Sequence, residues 1–134
     1  MKQLFYGIFI FLILIVAASD VYSCSCKKYS QFKEFNRAKY VFIGNFVRTS
    51  ENRVELKVVK SWKGVKVGQR VSLSYVDLDG CDYDLNFVAG KEYLIYAVRS
   101  KSDGDLFISV DCGGSKAVED AATDLKNINK IAGY

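Results

Sequence analysis

Lys39-Tyr40-Val41-Phe42-Ile43-Gly44-Asn45-Phe46-Val47-Arg48 is the stretch that decides the fold. Aromatic and β-branched residues fill most of it, and such side chains suit a pleated, half-buried surface, so it predicts a strand. Arg53 to Trp62 follows with Val54, Leu56 and Val58 on one face and Glu55 and Lys57 on the other, the period of a second strand. Gly64 and Gly68 bracket a turn. Arg70 to Asp77 alternates again, with Val71, Leu73 and Tyr75 inward and Ser72 and Ser74 outward. Asp77 to Lys91 reads as a long acidic loop that holds Cys81. Glu92 to Val98 is a near-continuous apolar strand, and Leu106 to Val110 returns as its partner after the hairpin signal Asp103-Gly104.

Helices are expected at both ends. In Tyr29 to Ala38, Phe32, Phe35 and Ala38 recur every three residues. From Ser115 onward, Val118, Ala121, Ala122, Leu125, Ile128 and Ala132 mark one helical face, with Ser115 as the N-cap after Gly113-Gly114. Five strands with flanking helices predict a mainly β domain, a small closed barrel with a C-terminal α-helix. No repeat or low-complexity tract interrupts it. No Asn-x-Ser/Thr sequence is present, so N-glycosylation is not expected.

Composition narrows the chemistry. The chain has 134 residues, a length for one domain, and contains no histidine and no proline. Without histidine no Ser-His-Asp or Cys-His nucleophile system can be built, and no histidine-ligated zinc site or histidine base exists. The expectation is a protein that is not an enzyme and needs no cofactor.

Leu4 to Ala18, LFYGIFIFLILIVAA, is almost wholly apolar. It falls short of the roughly 20 residues a spanning helix needs. It follows Met1-Lys2-Gln3 and precedes the polar Ser19-Asp20-Val21-Tyr22-Ser23. That order is a secretory signal peptide over residues 1–23, with cleavage after Ser23 and a mature domain over 24–134. The formal charge of +4 is unchanged, since the signal holds one base, Lys2, and one acid, Asp20. Cys24, Cys26, Cys81 and Cys112 all remain, an even count that reads as a disulfide framework in a small exported domain. Cys24 and Cys26 are too close to pair readily with each other. Each long closure would be worth about 4 kcal/mol alone.

Cys24-Ser25-Cys26 at a signal cleavage point resembles the mature start of the tissue inhibitors of metalloproteinases. The likeness continues in Ala38-Lys39-Tyr40-Val41-Phe42-Ile43-Gly44, Trp62-Lys63-Gly64, Gly80-Cys81, the run from Phe87 through Gly90-Lys91 to Tyr93-Leu94-Ile95-Tyr96-Ala97, and Cys112. It spans nearly all of the mature chain and concerns the family's N-terminal domain. It implies a five-stranded Greek-key barrel of the OB type, the netrin-like module, with disulfides Cys24–Cys81 and Cys26–Cys112. The sequence departs from the family in having no cysteines for a third disulfide, and in Lys27-Lys28-Tyr29-Ser30, where the family has a Pro/His segment.

The resemblance implies a mechanism. The free α-amine and carbonyl oxygen of Cys24 would chelate the zinc of a partner metalloprotease, at the position the metal keeps open for water. An α-amine titrates near 7.7–8.0, so its neutral, ligating form is accessible at neutral pH. Ser25 would enter the specificity pocket. Cys26 and the segment Asp79, Gly80, Cys81 and Asp82 would form a second contact edge. The expected partner is a zinc metalloprotease, met by a secreted, monomeric protein.

Other readings of the same residues remain open. The four cysteines would serve equally to staple a non-inhibitory extracellular binding module. Val21-Tyr22-Ser23-Cys24 resembles a lipoprotein cleavage box, and a lipidated, envelope-anchored Cys24 could neither pair nor chelate. Only in that case is membrane attachment expected. A zinc site from the four cysteines lacks the usual paired spacing. Asp77-x-Asp79-Gly80-x-Asp82-x-Asp84 fails the calcium-loop order, with Tyr75 and Asn86 at the first and last ligand places. Lys57, Lys60, Trp62, Lys63, Lys66 and Arg70 form a basic run. It reads as a solvated strand edge and turn. The other readings are a single-strand-binding surface or, on an exported protein, a site for an anionic polysaccharide or cell surface. No nucleic-acid partner is expected. Tyr93 and Tyr96 read as barrel aromatics.

Overall fold

The computed structural model describes residues 30–51, 53–74, 85–99, 106–108 and 114–134. The expected signal segment, the expected hairpin turn at Asp103-Gly104, Tyr75 and all four cysteines lie outside them. The chain is mainly β. Helix α1 is Gln31–Arg37, followed by β1 Tyr40–Ser50, β2 Arg53–Lys63, β3 Arg70–Ser74, β4 Glu92–Arg99, β5 Leu106–Ile108 and the short β6 Lys116–Ala117. A single 3-10 turn, Val118–Asp120, leads into helix α2, Ala122–Ala132.

The strand pairings close on themselves. The sheet runs β1-β2-β3-β5-β4-β6, and β1 also pairs β4. Five strands therefore form a ring, β1-β2-β3-β5-β4 and back to β1. Its pairings are antiparallel except the parallel β3–β5 contact of Leu73 with Leu106 and Ser74 with Phe107. Strand β1 can serve two neighbours because it is long and bent. Its register with β2 slips between Val41 and Phe42, between Ile43 and Gly44, and between Phe46 and Arg48. Such irregularities add local twist, which a ring of few strands requires.

Strand β4 shows why its sequence is apolar without alternation. Tyr93, Ile95 and Ala97 point into a core with Phe42, Val54, Leu56, Val58, Val71 and Leu73. Leu94 and Tyr96 point the other way, into a second cluster with Phe35, Ala38, Val41, Ala121 and Ile128. The helices cover the outer face of β4 and of the first half of β1, so Tyr93 to Ala97 and Val41 to Gly44 are buried on both faces. Ile128 of α2 is fully buried there, which contributes about 1.5–3 kcal/mol of transfer free energy.

Four expectations need correction. Phe32 is 62 % exposed, and Glu34 and Phe35 are the buried residues of α1. A three-residue spacing fits a helix face only approximately at 3.6 residues per turn. Ser74 is buried rather than outward, where β3 meets β5. Ser115 is no helix cap: its Oγ accepts the backbone N–H of Tyr96 at 2.8 Å and donates to the Tyr96 carbonyl at 3.3 Å. Lys116 and Ala117 then pair with β4, and the helix starts only at Ala122, which is itself exposed. Strand β2 is not an edge, because β1 and β3 flank it on both sides.

Candidate functional site

The residues expected to form an inhibitory edge, Cys24, Ser25, Cys26, Asp79, Gly80, Cys81, Asp82 and Cys112, all lie outside the described residues. The structure does describe the scaffold on either side of them. The chain enters at Ser30 and turns at once into α1. Two side-chain ties hold this helix. The Gln31 amide donates to Asp124 of α2, and its Oε1 accepts from Asn127 Nδ2 at 2.6 Å. At the other end, Lys63 Nζ donates to the carbonyls of Phe35 and Ala38, both at 2.8 Å. A cation there satisfies terminal carbonyls and complements the helix dipole.

Tyr96 links α1 to the chain after β5. Its ring shares a cluster with Phe35 and Ala38. Gly114 presses against that ring, where an added Cβ would lie 2.9 Å from Cε2. The inner face of α1 and Gly114, the second residue after Cys112, therefore meet around one side chain. The Tyr96 hydroxyl is buried without a hydrogen-bond partner among the described residues. Burial, reinforced by Asp124 and Glu34, raises its pKa well above the ordinary phenol value. Asp124 is itself ion-paired with Lys116.

The basic run resolves into separate jobs. Lys63 caps α1. Lys60 sits 4.8 Å from the centre of the Trp62 ring, and the Trp62 indole N–H donates to Asn129 of α2 at 3.0 Å. These three are therefore committed to joining the helices to the end of β2. Arg70 is paired with Glu55 at 3.0 Å, and Arg48 reaches the other oxygen of the same carboxylate at 2.7 Å. The Arg48 hydrogen bond is the largest cause holding the Glu55 pKa below the usual carboxylate value. Lys57 and Lys66 are exposed.

Register arranges several of these side chains on the outer face of the sheet. Arg48, Glu55 and Ser72 lie in one row across β1, β2 and β3, and Asn45, Lys57 and Arg70 in the next. The residues between them, Val54, Leu56, Val71 and Leu73, face the core. The sequence marks Lys57 and Arg70 as basic, but only pairing brings Arg48 beside them. Tyr93, expected as a barrel aromatic, is buried with its hydroxyl donating to the Asn86 carbonyl at 2.9 Å and accepting from the Val88 N–H at 2.7 Å.

Among the described residues no group of three or more Cys, Asp or Glu is placed to hold a metal ion. No helix of the described residues is long and apolar enough to cross a membrane. No family model and no curated protein matches the chain.

Proposed function

We propose that this protein is an exported inhibitor of zinc metalloproteases, built on an OB-type barrel and acting through a mature N-terminus at Cys24. The observation that carries the proposal is the sequence Cys24-Ser25-Cys26 directly after a stretch that reads as a secretory signal. The connectivity supports the fold half of it, because a ring in the order β1-β2-β3-β5-β4 with one parallel closure is the arrangement an OB-type barrel needs.

In this reading the Cys24 amine and carbonyl displace the water on the protease zinc. Ser25 enters the adjoining pocket, and its small side chain makes the inhibitor permissive. Disulfides Cys24–Cys81 and Cys26–Cys112 hold the terminus in its bound shape, which lowers the ordering cost of binding. The segment from Asp79 to Asp82 follows as a second contact. Helix α1, tied at both ends, is the platform from which the terminus departs.

The test starts with the intact mass and N-terminal sequence of the exported protein. A start at Cys24, two disulfides and no lipid is expected, followed by stoichiometric inhibition in a zinc-protease assay. A lipidated Cys24 overturns the proposal. A correctly processed protein that leaves a panel of zinc metalloproteases fully active points instead to a non-inhibitory binding module.

A further inference from the structure

We propose that the outer face of β1, β2 and β3 binds a sulfated, linear polysaccharide through Arg48, Lys57 and Arg70. This does not depend on the inhibitor reading, since it uses none of the residues assigned to the Cys24 edge.

The charge is concentrated in these strands. Residues 40–74 carry Arg48, Arg53, Lys57, Lys60, Lys63, Lys66 and Arg70 against only Glu51 and Glu55. Lys63 and Lys60 are engaged with the helices. Arg48 and Arg70 are mostly exposed, and Lys57 is exposed between Asn45 and Arg70. Directly opposed like charges on neighbouring strands destabilise a sheet, yet Lys57 and Arg70 are direct partners in the register. Glu55 is shared by two guanidinium groups and cannot neutralise three cations. Glu92 extends the second row beyond Asn45, so two acids, Glu55 and Glu92, stand against three cations, and the face keeps a positive excess that an anionic ligand would relieve.

Geometry and chemistry select the ligand. Neighbouring strands place cations about 5 Å apart, and residues two apart along a strand are about 7 Å apart. A flat grid of this kind fits an extended chain that bears anionic groups at short intervals. Guanidinium groups are weakly hydrated and offer paired donors, which suits sulfate and carboxylate. Single-stranded nucleic acid would also require bases to stack, but Trp62 is committed to Asn129 and Lys60, and Phe42 is buried. A bilayer would require apolar anchors, and the exposed large apolar residues on these strands are the valines Val47 and Val59.

The experiment is retention of the full exported protein on immobilised heparin under a salt gradient. The wild type is expected to elute well above about 0.15 M salt, the physiological ionic strength. K57Q/R70Q should elute clearly earlier than K126Q/K130Q, which removes the same charge from α2. E55Q, which removes the acid from the middle of the face, should elute later than wild type. Circular dichroism establishes that each variant is folded, and E55Q keeps the test decisive if K57Q/R70Q is not. Equal shifts for the two double variants, unchanged or earlier elution of E55Q, or elution of the wild type below that salt would overturn the proposal. So would tighter binding at equal salt to a single-stranded oligonucleotide or to phosphatidylserine vesicles.

Discussion

The indole N–H of Trp62 donates to Asn129 Oδ1 at 3.0 Å, joining the end of β2 to α2 across 67 positions of sequence. Lys60 reaches the same oxygen at 3.4 Å and covers the indole ring. Trp62→Phe keeps a ring in place but removes the donor. It should destabilise the fold by about 1 kcal/mol, the net worth of one hydrogen bond. Urea unfolding should show a lower midpoint with an unchanged slope. An unchanged midpoint would mean that this tie contributes nothing.

Gly64 and Gly68 allow a comparison within one turn. Both have positive φ, 80° and 84°. A Cβ at Gly64 would lie 2.6 Å from the Lys39 carbonyl oxygen and would overlap the Tyr40 ring, whereas at Gly68 it would meet nothing. Gly68→Ala should therefore cost only backbone strain, about 1 kcal/mol. Gly64→Ala should cost clearly more, because β1 must also give way. Equal losses in thermal or urea unfolding would contradict the close approach.

Tyr96 predicts a response to alkali. Its folded-state pKa is raised, first by burial and then by Asp124 and Glu34. A raised pKa contributes stability that is fully present below the unfolded value, about 10 for tyrosine, and is lost as pH rises above it. Lys91 acts with the same sign, its pKa raised chiefly by its hydrogen bond to Glu119. Tyr96→Phe removes a buried hydroxyl that has no described partner. The variant should be as stable as wild type at pH 7 and should lose less stability between pH 9 and about 11. A marked loss at pH 7 would show that the hydroxyl does have a partner.

Glu55 predicts the opposite arm. Its pKa is lowered, mainly by the Arg48 hydrogen bond. A depressed carboxylate contributes stability above its unfolded pKa and loses it as pH falls through the folded value. E55Q should therefore show a flatter fall of melting temperature below about pH 4.3, the ordinary glutamate value. The difference should be small, because the ion pairs are exposed and screened. A profile parallel to wild type would leave Glu55 no role in acid stability.

Sequence legibility followed the number of faces that are buried. In β2 one face is covered, so Val54, Leu56 and Val58 announce themselves by alternation. In β4 both faces are covered, and the unbroken run Tyr93 to Ala97 correctly indicates a buried strand. Val118 and Ala121 keep helical spacing, so the sequence predicts a helix start earlier than the observed Ala122. Tertiary pairing of Lys116 and Ala117 with β4 overrides it. The same competition hides Glu34, an acid that no hydropathy pattern would bury. The closure of the ring was expected in kind. Its bulges at Val41, Ile43 and Phe46 leave no local mark in sequence. The basic run was visible as composition, but its division into structural and outward cations depends on partners in α1 and α2 that lie far along the chain.

The central claim concerns the Cys24 terminus, and one paired titration tests it most directly. A zinc metalloprotease inhibited by the exported protein is titrated with that protein and with a form carrying one added alanine before Cys24. The extension turns the ligating amine into an amide while leaving the fold intact. Stoichiometric inhibition by the Cys24 form and loss of inhibition by the extended form are predicted. Equal inhibition by both forms would contradict chelation through Cys24.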